Sequence, residues 1–228
     1  MQYTNRREAG RLLADKLQEW SGREDVAVMA LPRGGVPVAF EVAKRLEAPL
    51  DVLIVRKLAA PDEPELALGA LASGHVIVLN SEIMSLTAEA EHALQSAFAK
   101  EEPELERREM VYRRAAPAVE VRGRTVLLID DGLATGATMS AAVQTLKQQQ
   151  VAKVIVAVPV ASQQAIERLE FEADAVVCLQ TPLFFNAVGE WYNDFTQTED
   201  EEVCTLLAEA AGTRRAVRAN AKRENPPP

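Results

Sequence analysis

The segment that most constrains this chain is VLLIDDGLATGAT, residues 126–138, because it joins an apolar run, two acids and a turn of small residues. The apolar run at residues 125–129 predicts a buried strand. Asp130 and Asp131 follow it directly, so their carboxylates can emerge at the edge of a sheet and accept hydrogen bonds from two vicinal hydroxyl groups. The turn at residues 135–138 predicts a helix start, a geometry that favours a bound anion.

Apolar strand-like runs alternate with helix-like segments along most of the chain. The predicted strands are residues 26–31, 51–55, 125–129, 153–158 and 175–179, and the predicted helices between them are residues 36–46, 138–149 and 161–169. Continuous apolar strands joined by helices indicate a parallel sheet covered on both faces. We therefore expect an α/β fold with a Rossmann-like parallel β-sheet, in which ligands bind outside the carboxyl ends of the strands.

The remaining segments complete one domain, residues 1–211. Asn5 and Glu8 have the spacing of a helix N-cap pair for the opening helix. Residues 66–71 and 76–79 predict short strands, residues 81–115 a helical insertion that Pro103 breaks or restarts, and residues 199–210 a closing helix. Residues 60–65 suit a mobile loop, and residues 212–228, basic and ending in three prolines, predict a disordered tail.

Composition excludes some functions. The formal net charge of -9 argues against nonspecific nucleic-acid binding, which depends on basic surface. No apolar run approaches the roughly 20 residues that span a bilayer, and residues 1–20 are too charged for a signal peptide, so we expect a cytoplasmic protein without a membrane partner. Cys178 and Cys204 lack metal-ligand spacing and are expected to be buried free thiols.

Two simpler interpretations of the acid pair remain open. One is a helix-capping aspartate followed by a threonine turn. The other is a phosphatase-type nucleophile pair, which expects its two acids to be separated by one residue, whereas Asp130 and Asp131 are adjacent.

Residues 126–138 resemble the signature of type I phosphoribosyltransferases, which has an apolar strand, two acids, two apolar or small residues and a TG-containing phosphate loop. The resemblance implies that Asp130 and Asp131 are catalytic residues that bind the ribose hydroxyls of phosphoribosyl diphosphate. It assigns the 5-phosphate to a loop formed by Ala134, Thr135, Gly136, Ala137 and Thr138.

The same resemblance implies a pyrophosphate loop after the first strand, formed here by Arg33, Gly34 and Gly35. Two glycines allow the backbone to approach a ligand, and an arginine suits phosphate oxygens, although an ordinary turn with a surface arginine is the alternative. Arg56 and Lys57 are expected to add catalytic positive charge for the leaving pyrophosphate, unless they are a solvated pair.

The segment after Lys57 resembles the flexible loop that closes over the site in this family and excludes water. Gly69 and Gly74 are candidate hinges, and His75, which follows the loop, is a structural or surface histidine or a catalytic one.

The aromatic stretch near the end of the sheet falls where the family has its hood, expected at residues 181–198. By this resemblance Val188, Trp191 and Tyr192 bind the base, and Asp194 helps to bind magnesium. A packed aromatic corner that covers the sheet edge is the alternative. The charged face of the insertion is either solvated or reaches the site; its members are Glu106, Arg107, Arg108, Glu109, Tyr112 and Arg113.

One position departs from the pattern and limits the inference. Hypoxanthine-guanine enzymes have an aspartate immediately before the TG, where this chain has Ala134, as adenine-type motifs do. The resemblance as a whole implies a Mg²⁺-dependent glycosyltransferase of nucleotide metabolism. We expect it to transfer a phosphoribosyl group from phosphoribosyl diphosphate to a nitrogen acceptor such as a nucleobase, and to release pyrophosphate. A non-catalytic protein of the same fold that senses phosphoribosyl diphosphate or a nucleotide is the alternative, and assembly into a homo-oligomer is left open.

Overall fold

The computed structural model describes residues 2–60, 63–79 and 89–224, with side chains for all of them except residues 63–67, 89–90 and 214–224. Five strands form a parallel sheet in the order β2-β1-β6-β7-β8, and three form an antiparallel sheet in the order β3-β4-β5. The strands are β1 Val26–Ala30, β2 Leu50–Val52, β3 Val55–Ala60, β4 Glu63–Ala72, β5 Val76–Leu79, β6 Thr125–Ile129, β7 Lys153–Val160 and β8 Ala175–Gln180.

Helices cover both faces of the parallel sheet. They are α1 Arg6–Lys16, α2 Gly35–Leu46, α3 Glu89–Ala115, α4 Ala137–Gln148, α5 Gln163–Glu170 and α6 Asp200–Glu224. Along β1, Val28 packs in the core beneath α1, α2 and α6, whereas Met29 packs in the core beneath α4 and α5. Successive strand residues point to opposite faces, so one fully buried strand supplies both cores. The predicted α/β class is confirmed.

The opening helix forms as the sequence predicts. Asn5 caps α1, and its Oδ1 accepts a hydrogen bond from the Glu8 backbone N–H at 3.0 Å. The Glu8 carboxylate in turn accepts from the Thr4 backbone N–H. The cap fixes the direction in which Arg6 and the rest of the first turn enter the fold.

The second predicted strand, residues 51–55, is wrong in its extent. β2 ends at Val52, and β3 begins at Val55 in the other sheet. Leu53 and Ile54, which link the two sheets, are as buried as the strands themselves. A continuous apolar run therefore did not reveal that the chain leaves one sheet for the other.

The mobile loop predicted at residues 60–65 is largely a β3–β4 hairpin, although residues 61–62 lie outside the described chain. Gly69 is not a hinge but lies within β4, where a Cβ would be 2.4 Å from the Val78 carbonyl oxygen. Gly74, with φ +78°, forms the turn to β5. Both short strands predicted after the loop are present.

The helical insertion differs from its prediction in two respects. Residues 89–115 form one helix that contains Pro103, and residues 81–88 lie outside the described residues. Its charged face is not simply solvated, because the Tyr112 side chain is fully buried. Arg113 donates to the buried Asp51 carboxylate from Nη2 at 2.6 Å and from Nη1 at 3.1 Å. The insertion thereby fastens α3 to the edge strand β2.

The closing helix continues to Glu224, through residues 212–224 for which the sequence predicted a tail. These residues are rich in alanine, arginine and lysine, which favour helix, and no proline interrupts them. Residues 225–228 lie outside the described chain. Among the described helices, none is both long enough and apolar enough to cross a membrane.

Candidate active site

Asp130 and Asp131 lie at the carboxyl end of β6, the central strand of the parallel sheet. Both are half-buried. The Asp130 Oδ1 accepts a hydrogen bond from the Asp131 backbone N–H at 2.8 Å. The two side chains therefore occupy the sheet edge at which ligands bind in open α/β folds.

The glycine loop between β1 and α2 lies directly against this acid pair. A Cβ on Gly34 would be 2.1 Å from the Asp131 Oδ2, and one on Gly35 would be 2.9 Å from the Asp130 Cα. Glycine is required here by space rather than by conformation, because Gly34 has an ordinary φ of −59°. The two loops that the sequence singled out separately thus form one surface.

Burial raises the pKa of Asp130 well above its usual value, and the adjacent Asp131 charge raises it further. Burial also raises the pKa of Asp131, but the Arg6 guanidinium opposes that change. Two carboxylates held together in a poorly solvated place favour a bound cation or hydrogen-bond donors.

The turn after the acid pair leads into the exposed N-terminus of α4. Gly136 is the N-cap with φ +73°, and Ala134, Thr135, Ala137 and Thr138 are exposed around it. The first intrahelical bond runs from the Ser140 N–H to the Gly136 carbonyl at 2.8 Å. The amides of the first helical turn have no intrahelical carbonyl to bind, although that of Ala137 donates to the Thr135 Oγ1 at 3.4 Å. With the helix dipole, this turn suits a phosphate.

Arginines expected to bind pyrophosphate are paired with carboxylates from other elements. Arg33 Nη1 lies 3.2 Å from the Glu199 Oε2, immediately before α6, and the peptide bond between Pro32 and Arg33 is cis. Arg56 Nε donates to the Glu101 Oε2 on α3 at 2.8 Å. Arg56 and Lys57 do not follow a strand of the parallel sheet as expected; they lie within β3.

Two of the hood residues predicted to bind a base, Tyr192 and Val188, are packed against other residues of the protein. Tyr192 is only 5% exposed: its ring packs on Tyr3 and Phe195, and its hydroxyl donates to the Asp131 carbonyl at 2.6 Å. It therefore presents no open ring face to a base, in agreement with the packed aromatic corner. Val188 packs against Gly132, where a Cβ would be 2.5 Å from Val188 Cγ1.

Three other hood residues differ in their exposure and hydrogen bonding. In the described part of the chain, the Trp191 Nε1–H is buried without a hydrogen-bond partner, an arrangement that costs about 1–3 kcal/mol. Phe184 is 88% exposed. Asp194 is exposed, and its Oδ1 accepts from the Thr196 N–H and hydroxyl, which lower the pKa of Asp194.

Sequence reasoning missed Arg6, the first residue of α1. Its Nε lies 2.7 Å from the Asp131 Oδ2, and its guanidinium carbon lies 3.9 Å from the Phe195 ring centroid. The two members of the ion pair are 125 residues apart in the chain. No local motif spacing connects them, so only the folded chain reveals the contact.

His75, which the sequence left as a structural, surface or catalytic histidine, contacts carboxylates of α3. His75, on the β4–β5 turn, lies 3.4 Å from the Glu106 carboxylate and 3.7 Å from that of Glu102. These contacts support a structural role for His75.

Cys178 and Cys204 are free thiols as expected, but half-buried rather than fully buried.

The fold and the edge of its sheet define an α/β protein in which an acid pair, a glycine loop and a helix N-terminus are adjacent. Comparison with known proteins identifies the class. Residues 2–194 match the family model described as the phosphoribosyl transferase domain, and the chain therefore belongs to that family.

The relatives agree with this assignment. Two strains of Mycobacterium tuberculosis have a protein, provisionally named a phosphoribosyl transferase, that is 47% identical over 208 residues, or 91% of this chain and 47% of the relative. This chain thus spans about half the length of the curated relatives it matches. A crystal structure of a Thermus thermophilus protein is 45% identical with a TM-score of 0.84, and covers 93% of this chain and all of that one.

Proposed function

We propose that this protein transfers a phosphoribosyl group from phosphoribosyl diphosphate to a nitrogen acceptor, with a nucleobase as the favoured acceptor. The observation that carries the proposal is the contact of the glycine loop with Asp130 and Asp131 beside the N-terminus of α4. A ribose 5-phosphate bound there would have an anion site, two hydroxyl acceptors and a pyrophosphate-suited loop at one sheet edge.

In the proposed reaction the bond between ribose C1 and the pyrophosphate oxygen breaks, and a bond from C1 to the acceptor nitrogen forms. The exposed amides around Gly136 would hold the 5-phosphate, while Asp130 and Asp131 would orient the ribose hydroxyls. Arg33 would balance charge on the departing pyrophosphate, and Glu199 would compete for its Nη1 donor.

Magnesium belongs to the same proposal. Its preferred ligands are hard oxygens, and the raised pKa of Asp130, caused by burial and by the neighbouring charge, is consistent with a place where a cation would be favourable. The metal would be bound mainly by oxygens of phosphoribosyl diphosphate and would neutralise charge on the leaving group. Asp194 is the proposed additional ligand, and a cytoplasmic location and homo-oligomer formation are part of the same proposal.

The acceptor would bind between the hood and the acid pair. Phe184 offers an open aromatic face, whereas the Trp191 N–H is buried without a partner and could bind an acceptor atom only if the hood rearranged to admit it. Because Ala134 cannot transfer a proton, any proton lost from the acceptor would leave through another group or solvent. These features favour a flat, nitrogen-containing ring without selecting one base.

A sensor of phosphoribosyl diphosphate or a nucleotide is the second candidate. It is favoured by one observation: Arg33 and Arg56, which would bind pyrophosphate, each pair with a carboxylate of the protein itself. A ligand that replaced those carboxylates would change contacts to α3 and to the start of α6.

One assay separates the two candidates. Pyrophosphate release is measured from phosphoribosyl diphosphate and Mg²⁺ across a panel of purine and pyrimidine bases. Turnover with at least one base is the expected result, and tight binding without turnover on any base supports the sensor. The double variant Asp130→Asn/Asp131→Asn should lose turnover, whereas Asp25→Asn, at an exposed carboxylate paired with Arg23, should not.

A further inference from the structure

Arg6 connects the acid pair to the hood. Its side chain is 11% exposed, its Nε donates to the Asp131 Oδ2 at 2.7 Å, and its Nη1 donates to the Thr196 carbonyl at 2.8 Å. The guanidinium carbon lies over the Phe195 ring, 3.9 Å from its centroid. A single side chain therefore contacts the end of β6 and two residues of the segment before α6.

Asp131 is held from its other sides as well. The Gly34 backbone lies so near that a Cβ would overlap its Oδ2, and the Tyr192 hydroxyl donates to its carbonyl. Asp130, on the same strand end, presents a second carboxylate to it. Among these groups of the described chain, Arg6 supplies the opposite charge that stabilises Asp131 as a carboxylate.

We propose that Arg6 is a positioning residue for sugar recognition, acting through Asp131, and that it fixes the hood relative to the ribose site. This inference rests on the proposed function, because it assumes that Asp131 accepts a ribose hydroxyl. Arginine suits the task since its rigid fork points one N–H at the carboxylate and another at the Thr196 carbonyl. A lysine retains the charge but has no fixed fork to make both contacts.

The test measures binding rather than turnover, with ribose 5-phosphate and inorganic phosphate as separate probes in titration calorimetry. Arg6→Gln should weaken ribose 5-phosphate binding about tenfold, the size expected for a charge-assisted hydrogen bond, and leave phosphate binding unchanged. Arg7→Gln is the matched control, because Arg7 is the next residue but pairs with Glu41 of α2, at 3.1 Å, instead of Asp131. It should change neither affinity.

Two further variants separate positioning from a general structural role. Arg6→Lys should recover part of the lost affinity, and equal losses in the lysine and glutamine variants would overturn the proposal. In a double-mutant cycle, Arg6→Gln combined with Asp131→Asn should bind ribose 5-phosphate no worse than Asp131→Asn alone. Additive losses would mean that Arg6 does not act through Asp131.

The outcomes also distinguish this inference from the function on which it rests. Wild-type protein that binds ribose 5-phosphate no more tightly than phosphate would overturn both. If the wild-type protein prefers ribose 5-phosphate and Arg6→Gln keeps the same preference, only the role proposed for Arg6 is overturned. Equal weakening of both probes in Arg6→Gln would show a disturbed fold and also count against it.

Discussion

Replacement of Gly34 by alanine tests the close contact between the glycine loop and the acid pair. The backbone at Gly34, with φ −59° and ψ −34°, accepts alanine without strain, so the effect comes from space alone. The added Cβ would lie 2.1 Å from the Asp131 Oδ2 and 2.8 Å from its Cγ. Asp131 cannot easily move away, because Arg6 binds its carboxylate and its backbone N–H donates to the Asp130 Oδ1.

The expected cost follows from this overlap. Overpacking costs about 1–3 kcal/mol, and the smaller conformational freedom of alanine in the unfolded chain returns about 0.4–1 kcal/mol. The free energy of unfolding should therefore fall by about 0.5–2 kcal/mol. At about 2–4 °C per kcal/mol for a protein of this size, Tm should fall by about 1–8 °C.

Calorimetric unfolding and ribose 5-phosphate titration measure the two consequences. Gly34→Ala should melt lower and bind the sugar phosphate more weakly, because the displaced carboxylate loses its alignment with Arg6. Gly212→Ala is the matched control: Gly212 lies within α6 with nothing near its missing Cβ, so the change should raise stability by about 0.5–1 kcal/mol. A Gly34→Ala protein with wild-type Tm and wild-type affinity would refute the close approach.

Three other substitutions follow from contacts in and around the site. Tyr192→Phe removes the hydroxyl that donates to the Asp131 carbonyl and should lower stability by about 1 kcal/mol in urea unfolding, whereas an unchanged midpoint would contradict that bond. Glu199→Gln releases Arg33 from an exposed ion pair and should tighten pyrophosphate binding roughly two- to fivefold in calorimetry, so weaker binding would count against competition by Glu199. Hydrogen bonds from Arg107 and Arg108 of α3 lower the pKa of Glu104 from 4.5 to about 2. The stability that the ionised Glu104 contributes is therefore fully present above pH 4.5 and is lost as the pH falls towards 2. Glu104→Gln should consequently lose less stability than the wild type between pH 5 and pH 2, and parallel losses would contradict the lowered pKa.

The antiparallel sheet shows one limit of sequence reasoning. Arg56 and Lys57 follow an apolar run that reads as one buried strand, but the chain changes sheets at Leu53 and Ile54. Burial in a link between two sheets has the same apolar pattern as burial in a strand. Strand existence was therefore predictable in this region, whereas strand partners were not.

The hood shows a second limit. Its aromatic residues suggested a base-binding surface, yet Tyr192 is packed against Tyr3, a residue from the opposite end of the chain. Phe184 from the same stretch is exposed. An aromatic residue has the same identity in a core as in a binding site, so only its neighbours decide between the two.

By itself the sequence determined the alternating α/β fold, the strand that leads into Asp130 and Asp131, and a helix start in the turn at residues 135–138. Those features depend on local periodicity, turn chemistry and residues that are neighbours in the chain. The tertiary structure decided which groups meet the acids: Gly34 across the sheet edge and Arg6 from the first helix. Such contacts arise from the packing of distant segments, and no local pattern records them.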